Sequence, residues 1–408
     1  MVPRALRFLL VLAVIAAFVV PVAAQDATPE PVQPVEMGAE PLCAAPTGLS
    51  GAINIGVVFG LSGAVSVYGL PQRDAVQLAV DQINAAGYVG EGVTLMPIFE
   101  DSAGDREQAI SAMTRLMDQG VVAVIGPTLS SEMTAAGPVA QEAGVLVLGV
   151  SNTATGLKDV IGDFYFRASL PEAAVIPGTI AQATEALGLQ NVGLLYGNDN
   201  EFTVSGYEVF AQALVDNGVS VVGEETFATG DVDFNAQLTN LINQSPDAIV
   251  VSALAAEATQ IILQARALGY TGTIIGGNGF NSPAVLNQTG ADSNGLIVGG
   301  AWNYSNPNPS AESVGFVTAF EEAYGYSPDQ FAAQAYTGTW LIAEAIRCAD
   351  STDSAVVRDA LLNVADFASP LGVFGFDEAG EPVHEPIAQI VVDGRFVPLS
   401  TVEVTPEG

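Results

Sequence analysis

Small hydroxyl side chains follow several apolar runs in a pattern typical of a ligand-binding site. Ser130 and Ser131 stand at a predicted helix start, and Ser151 and Thr153 follow the next apolar run. Free backbone N–H groups at a helix start, together with hydroxyls, can hold an anionic or carbonyl oxygen. The same serines could instead be plain helix caps, because serine is a preferred N-cap residue.

Aromatic residues in neighbouring loops could form the walls of such a site. Tyr68 lies in a Gly-rich segment, where a cleft wall is easier to build than a core position. Phe202, Trp302 and Phe331 could also close over a ligand, although single aromatic residues of this kind usually belong to a core.

The composition argues against nucleic-acid binding, a histidine-rich metal site and common catalytic chemistry. The chain has 11 basic and 45 acidic residues, a net charge of −34, and His384 is its one histidine. No dense basic face can form to neutralise phosphates, and no multi-histidine metal site is possible. Motifs such as G-x-S-x-G, H-E-x-x-H, C-x-x-C and the Walker A loop are missing from the sequence. A binding protein without a cofactor is therefore favoured over an enzyme.

The elements that would position these side chains alternate strand and helix. Strands are predicted at 53–59, 93–99, 121–126 and 145–149, with helices between them. Pro97 indicates an edge strand. The pattern restarts after 171–177, and VAVIG ending at 126 is echoed by AIVVS ending at 252, which favours a structural repeat over coincidence. The predicted fold class is α/β, with two doubly wound parallel-sheet lobes and a cleft at the carboxyl ends of the strands.

The amino-terminal region has the pattern of an export signal. Arg4 and Arg7 precede an apolar run and then small residues, so cleavage is expected near Ala24, with an uncleaved anchor as the alternative. The chain is expected to be exported to the periplasm or to the outside of the cell, where it would be associated with the cell surface. The predicted domains are a signal peptide (1–24), a Pro-rich tether (25–50), lobe 1 (51–170 and 301–370) and lobe 2 (171–300 and 371–402).

Cys43 and Cys348 are the two cysteines of the chain. In an oxidising compartment they could form a disulfide that fixes the tether to a late helix. The alternative is a pair of unrelated free thiols.

Several runs of the sequence resemble the periplasmic substrate-binding proteins of ABC importers, and within them the branched-chain amino acid (Leu/Ile/Val-binding) family. The runs are IGVVFGLSGAVSVYG, AVQLAVDQINAAG, FEDSAGDREQAISAMTRLMDQGVVAVIGPTLSS and PDAIVVSALAAEATQIILQARALGY. The resemblance extends from about 52 to 397 and implies a type I periplasmic binding fold, with chain crossings near 168–172, 299–303 and 369–373.

The resemblance also implies how such a protein works. A monomer would close two lobes over a small polar or amphipathic ligand and deliver it to a membrane permease driven by ATPase subunits. Contact with the membrane would occur only through the permease or an uncleaved signal anchor. A sensory module of the same fold, feeding a separate signalling partner, is the alternative function, and an enzyme is the third.

The family pattern assigns roles to individual residues. Ser130 and Ser131, with backbone amides, match the groups that hold the ligand carboxylate, and Ser151 and Thr153 match groups that contact its ammonium and carboxylate. Aromatic walls match Tyr68 and Phe202, and Phe331 matches a further apolar wall.

Two positions depart from the amino-acid-binding pattern. Asn278 stands where these binders usually carry an acidic counterion for the ligand's ammonium, and Leu254 replaces a partner tyrosine. A buried cation without a counterion is costly. Amides, urea and aromatic acids are therefore also candidate ligands, and Asp199 or Glu201 could instead supply the missing charge.

Overall fold

The computed structural model of the protein describes residues 41–403. The predicted signal peptide lies outside the described residues, as does the predicted tether up to residue 40. Among residues 41–403, no helix is both long and apolar enough to span a bilayer.

The described chain alternates strands and helices through two large sheets and also forms a small three-stranded sheet near its carboxyl end. The strands are β1 (Gly51–Phe59), β2 (Val93–Asp101), β3 (Ala123–Ile125), β4 (Leu146–Gly149), β5 (Tyr165–Arg167), β6 (Asn191–Gly197), β7 (Ser220–Phe227), β8 (Ala248–Ser252), β9 (Thr273–Gly276), β10 (Ile297–Gly300), β11 (Phe367–Ser369), β12 (Gly372–Phe376), β13 (Pro382–Val383), β14 (Ile387–Val392) and β15 (Arg395–Pro398). The helices are α1 (Ser66–Ala85), α2 (Arg106–Asp118), α3 (Ser130–Ala143), α4 (Leu157–Ile161), α5 (Glu172–Leu187), α6 (Glu201–Asp216), α7 (Asn235–Ile242), α8 (Ala255–Ala267), α9 (Pro283–Thr289), α10 (Ala311–Tyr324), α11 (Gln330–Ala349) and α12 (Ser354–Leu362).

The first sheet has the strand order β2-β1-β3-β4-β5, and its neighbouring strands are all parallel. Its central strands are short apolar runs, because helices cover both faces of the sheet. β2 lies at the edge, as the sequence predicts from Pro97. We refer to this sheet and the elements packed on it as lobe 1.

The second sheet repeats the first and is then extended by two strands. Its order is β7-β6-β8-β9-β10-β14-β15, so β6 to β10 occupy the places that β1 to β5 hold in the first sheet. The two echoed sequence runs fall on β3 and β8, the third strand along each sheet from its edge. The predicted repeat is therefore confirmed. We refer to this second sheet and the elements packed on it as lobe 2.

The later part of the chain returns to lobe 1 and leaves it again. Trp340 of α11 and Phe374 of β12 are buried in the same core as Ile55 of β1. The chain next joins lobe 2 at β14, which pairs antiparallel with β10. The third crossing therefore lies between β13 and β14, and the predicted placement at 369–373, with 371 onward in lobe 2, is wrong. The aromatic residues of β12 make this difference, because they pack on lobe 1.

The segment before β1 is held against the carboxyl end of α11. Cys43 and Cys348 form a disulfide with a Cα–Cα distance of 5.2 Å. The carboxylate of Asp350 accepts hydrogen bonds from the backbone N–H groups of Thr47 (3.0 Å) and Gly48 (2.7 Å). These contacts fix residues 42–48 to lobe 1.

Candidate functional site

The two lobes enclose a cavity at the carboxyl ends of their strands. The cavity is lined from lobe 1 by Tyr68, Thr128, Leu129, Ser130, Ser151 and Phe331, and from lobe 2 by Phe202, Leu254, Asn278 and Gly279. Six of the eight predicted ligand-binding residues thus meet in one place. Thr153 lines a second, neighbouring cavity that shares Asn278 with the first. Ser131 is buried in α3 and belongs to the lining of neither cavity.

Ser130 is not a helix cap. The N-cap of α3 is Leu129, whose N–H donates to the carboxylate of Glu132 at 2.8 Å. The Ser130 hydroxyl, one residue into the helix, instead accepts from the N–H of Ala154 at 3.3 Å and lines the cavity. The start of α3 therefore presents a hydroxyl together with the positive end of the helix dipole, a combination suited to an anionic oxygen.

A buried hydrogen-bond network holds the loops beside this helix start. The Ser151 hydroxyl donates to the carbonyl of Thr128 at 2.6 Å and accepts from the amide of Gln72 at 2.8 Å. The Thr128 hydroxyl donates to the other end of the same Gln72 amide at 2.9 Å. Ser151 is thus engaged in positioning the loops, while the hydroxyl of Thr153 is buried without a hydrogen-bond partner among residues 41–403.

Tyr68 spans the gap between the lobes. It lies in the first turn of α1, where the sequence suggests a loop, and its ring packs on Phe331 of α11 with the centroids 4.7 Å apart. Its hydroxyl donates to the carbonyl of Gly279 at 2.8 Å and accepts from the N–H of Ala255 at 2.6 Å. Both partners belong to lobe 2, so the structure is a closed arrangement of the two lobes. Burial raises the pKa of Tyr68, which therefore remains a neutral donor.

A glycine permits the close packing that positions Tyr68. A Cβ atom on Gly69 would lie 2.1 Å from the carbonyl oxygen of Gly60, just after β1. Only glycine allows α1 to approach the end of the strand this closely.

Asn278 begins a short 3₁₀ segment (Asn278–Asn281) and lines both cavities. Its Oδ1 accepts from the side-chain amide of Gln330 at 2.7 Å. This bond uses one of the two acceptor positions of the oxygen. Asn278 therefore offers polar contacts but no charge.

The two alternative counterions from the sequence are engaged elsewhere. The Asp199 carboxylate accepts from the N–H (2.9 Å) and hydroxyl (2.7 Å) of Thr229, and Glu201 forms an ion pair with Arg106 across the lobes. Neither residue lines the two cavities. The suggestion that one of them replaces an acidic residue at position 278 is not supported.

Sequence reasoning missed Glu172, the first residue of α5. It is 2% exposed and lines the second cavity with Thr153 and Asn278. Neither of its carboxylate oxygens has a hydrogen-bond partner among residues 41–403, and burial raises its pKa well above the ordinary value. In the sequence, the prolines at 171 and 177 suggest that residues 171–177 form a break between the two lobes and not the start of a helix. A Pro-Glu pair is nevertheless a typical helix start, because an acidic residue favours the first turn.

The predicted aromatic candidate Trp302 and the single histidine, His384, have structural roles. Trp302 is buried in the lobe 1 core and donates to the hydroxyl of Ser313 at 3.0 Å. His384 stacks on Phe374, with a centroid distance of 5.5 Å, and burial lowers its pKa to about 4. His384 is therefore neutral and lies apart from the serines that line the cavity.

Known proteins with similar sequences are named as binding proteins. The family described as periplasmic binding protein matches residues 52–395. Leu/Ile/Val-binding protein homolog 3 of Brucella melitensis is 26% identical over 356 residues, which cover 85% of this chain and 93% of that protein. The leucine-, isoleucine-, valine-, threonine- and alanine-binding protein of Pseudomonas aeruginosa is 26% identical over 329 residues, covering 81% and 87%.

A solved structure extends this similarity to the fold. The branched-chain amino acid transporter substrate-binding protein LivJ from Streptococcus pneumoniae, in complex with isoleucine, is 30% identical to this chain and superposes with a TM-score of 0.78. The match covers 85% of this chain and 97% of that one. It agrees with the α/β fold of two parallel-sheet lobes predicted from the sequence.

Proposed function

The chain belongs to the periplasmic binding protein family, and from this premise we propose that it captures an amino acid with an apolar side chain for an ABC importer. The observation that supports the proposal most directly is the cavity between the lobes. The start of α3 and Ser130 provide a site for a carboxylate, and the rings of Tyr68 and Phe331 provide an apolar wall.

Capture proceeds by closure of the lobes. In the open form the ligand binds first to lobe 1, where the carboxylate site lies. Contacts of lobe 2 with the ligand and with Tyr68 then favour the closed form. The ligand shifts the equilibrium only by the amount of its preference for the closed state.

The partners follow from this function. The protein is exported, acts as a monomer, and presents its closed form to a membrane permease whose ATPase subunits drive uptake. Two relatives that bind Leu, Ile and Val by name, and the isoleucine complex of a third, support an aliphatic amino acid as the ligand.

A thermal-shift and calorimetric screen tests the function. Leucine, isoleucine, valine, threonine and alanine are compared with their amides, urea and benzoate. A ligand that binds the folded state must raise the Tm. We expect aliphatic amino acids to raise it most, and Ser130→Ala to weaken their binding by about 1–3 kcal/mol, since it removes a buried hydrogen bond.

The matched control is Ser111→Ala, which removes an exposed hydroxyl on α2 and should leave binding unchanged. Binding of benzoate, urea or amides in preference to every amino acid would contradict the proposed ligand class. Equal affinities of the native protein and Ser130→Ala would remove Ser130 from the site.

A further inference from the structure

Glu172 is a buried carboxylate that the fold of residues 41–403 does not satisfy. Its side chain faces the second cavity, and both oxygens lack hydrogen-bond partners among the described residues. The nearest cation, Arg167, is occupied by Glu381 at 2.7 Å and by the carbonyl of Ala154 at 2.7 Å. An unpartnered buried polar group is costly to a fold and calls for an explanation.

Further buried polar groups without partners among the described residues lie around Glu172. Buried oxygens without partners among residues 41–403 also occur at Thr153, Ser252 and Gln334, and Thr153 and Gln334 line the same cavity. Glycines at 206 and 277 leave room beside the carboxylate, because a Cβ atom there would lie 3.0 Å and 3.3 Å from Glu172 Oε1. The carboxylate and each of these oxygens can accept a hydrogen bond from a ligand that brings N–H donors.

The carboxylate lies next to the proposed ligand cavity. The N–H of Glu172 donates to the carbonyl of Thr153 at 2.9 Å, which ties the start of α5 to the loop that follows β4. Asn278 lines both cavities. A short ligand whose carboxylate lies at Ser130 would therefore extend its other polar end toward Asn278 and Glu172.

We propose that Glu172 is the counter-charge for the ammonium group of a zwitterionic ligand. This inference rests on the proposed function and adds the residue that selects for the amino group. Asn278 carries no charge, so it cannot supply this counter-charge itself, and its oxygen already accepts from Gln330. The site then has an anion-binding end at α3 and a cation-binding end at α5, with the aromatic pair Tyr68 and Phe331 between the lobes for the apolar side chain.

Calorimetry with a matched pair of ligands tests this role. L-leucine and 4-methylpentanoate share the carboxylate and the branched chain, and differ only in the ammonium group. The native protein should bind leucine at least about 30-fold more tightly, because a buried charge pair contributes strongly when its partner is present. In Glu172→Gln the affinity for leucine should fall about 30- to 1000-fold, while that for 4-methylpentanoate should stay the same or increase.

The control variant is Glu257→Gln. Glu257 is also a buried carboxylate in the first turn of a helix, but it accepts from the N–H of Gly230 and lines neither cavity. The Glu257→Gln variant should bind leucine and 4-methylpentanoate with the same affinities as the native protein. A role for Glu172 in folding alone would weaken both ligands equally.

The outcomes separate this inference from the proposed function. If the native protein binds no amino acid, both are overturned. If leucine binds equally well to the native protein and to Glu172→Gln, only the role of Glu172 is overturned. The role of Glu172 is also overturned if the native protein binds 4-methylpentanoate, or the neutral amide of 4-methylpentanoate, more tightly than leucine. This measurement uses the native protein alone, so it does not depend on whether the variant folds.

Discussion

Two buried carboxylates at helix starts connect the stability of the protein to pH. Asp329 caps α11 by accepting from the N–H of Ala332 at 2.9 Å, and Glu132 accepts from Leu129 at the start of α3. Burial raises the pKa of each group to about 7, from ordinary values of 3.8 and 4.5. Between the ordinary pKa values and about pH 7, both carboxyl groups stay protonated in the folded chain, whereas in the unfolded chain they have lost their protons. The free energy of unfolding should therefore decrease as the pH rises through this window.

Urea unfolding at pH 5 and pH 8 checks this prediction. We expect greater stability at pH 5, by up to about 3 kcal/mol for each group, since one pKa unit corresponds to about 1.4 kcal/mol. Asp329→Asn keeps a capping side chain and removes the titration, so it should reduce the difference. Asp353→Asn, at the exposed cap of α12, is the control. Equal or greater stability at pH 8 would contradict the prediction.

The loops that form the site can be predicted from the sequence. The individual side chains that face the cavity are predicted less well. Ser130 and Ser151 come together because the carboxyl ends of parallel strands meet at one edge. Ser131 faces away from the cavities, since adjacent helical residues differ by about 100° around the axis and packing sets the rotation. Glu172 could not be recognised as a site residue until α5 was known to begin there.

Helix α11 joins the cleft to the amino-terminal segment, and its disulfide should act on stability alone. Phe331 lies in its first turn and Cys348 near its end, about 25 Å away at 1.5 Å per residue. The double variant Cys43→Ser/Cys348→Ser should lose about 2–4 kcal/mol of unfolding free energy, because the disulfide restricts the unfolded chain. Its affinity for the ligand should not change.

The same variant supplies the control for this prediction. A reductant should lower the unfolding midpoint of the native protein and have no effect on the double variant. Unchanged stability of the variant would show that the hydrogen bonds of Thr47 and Gly48 to Asp350 suffice to hold the segment.

Long periodic elements could be predicted from the sequence, and short ones could not. The predicted helix start at Ser130 matches the first residue of α3, because the apolar face of the helix marks it in the sequence. The strands β11, β12 and β13 span two to five residues each, too few to show an alternating pattern. Their aromatic side chains belong to lobe 1, and missing them led to the wrong third crossing.

Several direct contacts between the lobes around the cleft stabilise the closed form of the whole molecule. Tyr68 contacts two backbone groups of lobe 2, and the hydroxyl of Ser205 accepts from the N–H of Thr155 at 2.9 Å. In Tyr68→Phe the N–H of Ala255 and the carbonyl of Gly279 lose their partner in the closed form but can reach water in the open form. We expect the equilibrium to shift toward the open form by about 1–3 kcal/mol.

Small-angle X-ray scattering of the ligand-free protein measures this shift. Tyr68→Phe should have a larger radius of gyration than the native protein, and saturating ligand should reduce the difference. Tyr207→Phe is the control, because its hydroxyl donates to Glu224 within lobe 2 at 3.1 Å. Identical scattering of native protein and Tyr68→Phe would show that other contacts determine closure.

The attachment of the amino-terminal segment has a mechanical consequence. Residues 42–48 are fastened to α11 and to Asp350, which belong to one half of the molecule. A pulling force applied to the chain before Cys43 would be transmitted to lobe 1 through the Cys43–Cys348 disulfide. Lobe 2 would not carry this force. The cleft could therefore open and close without work against the pulling force.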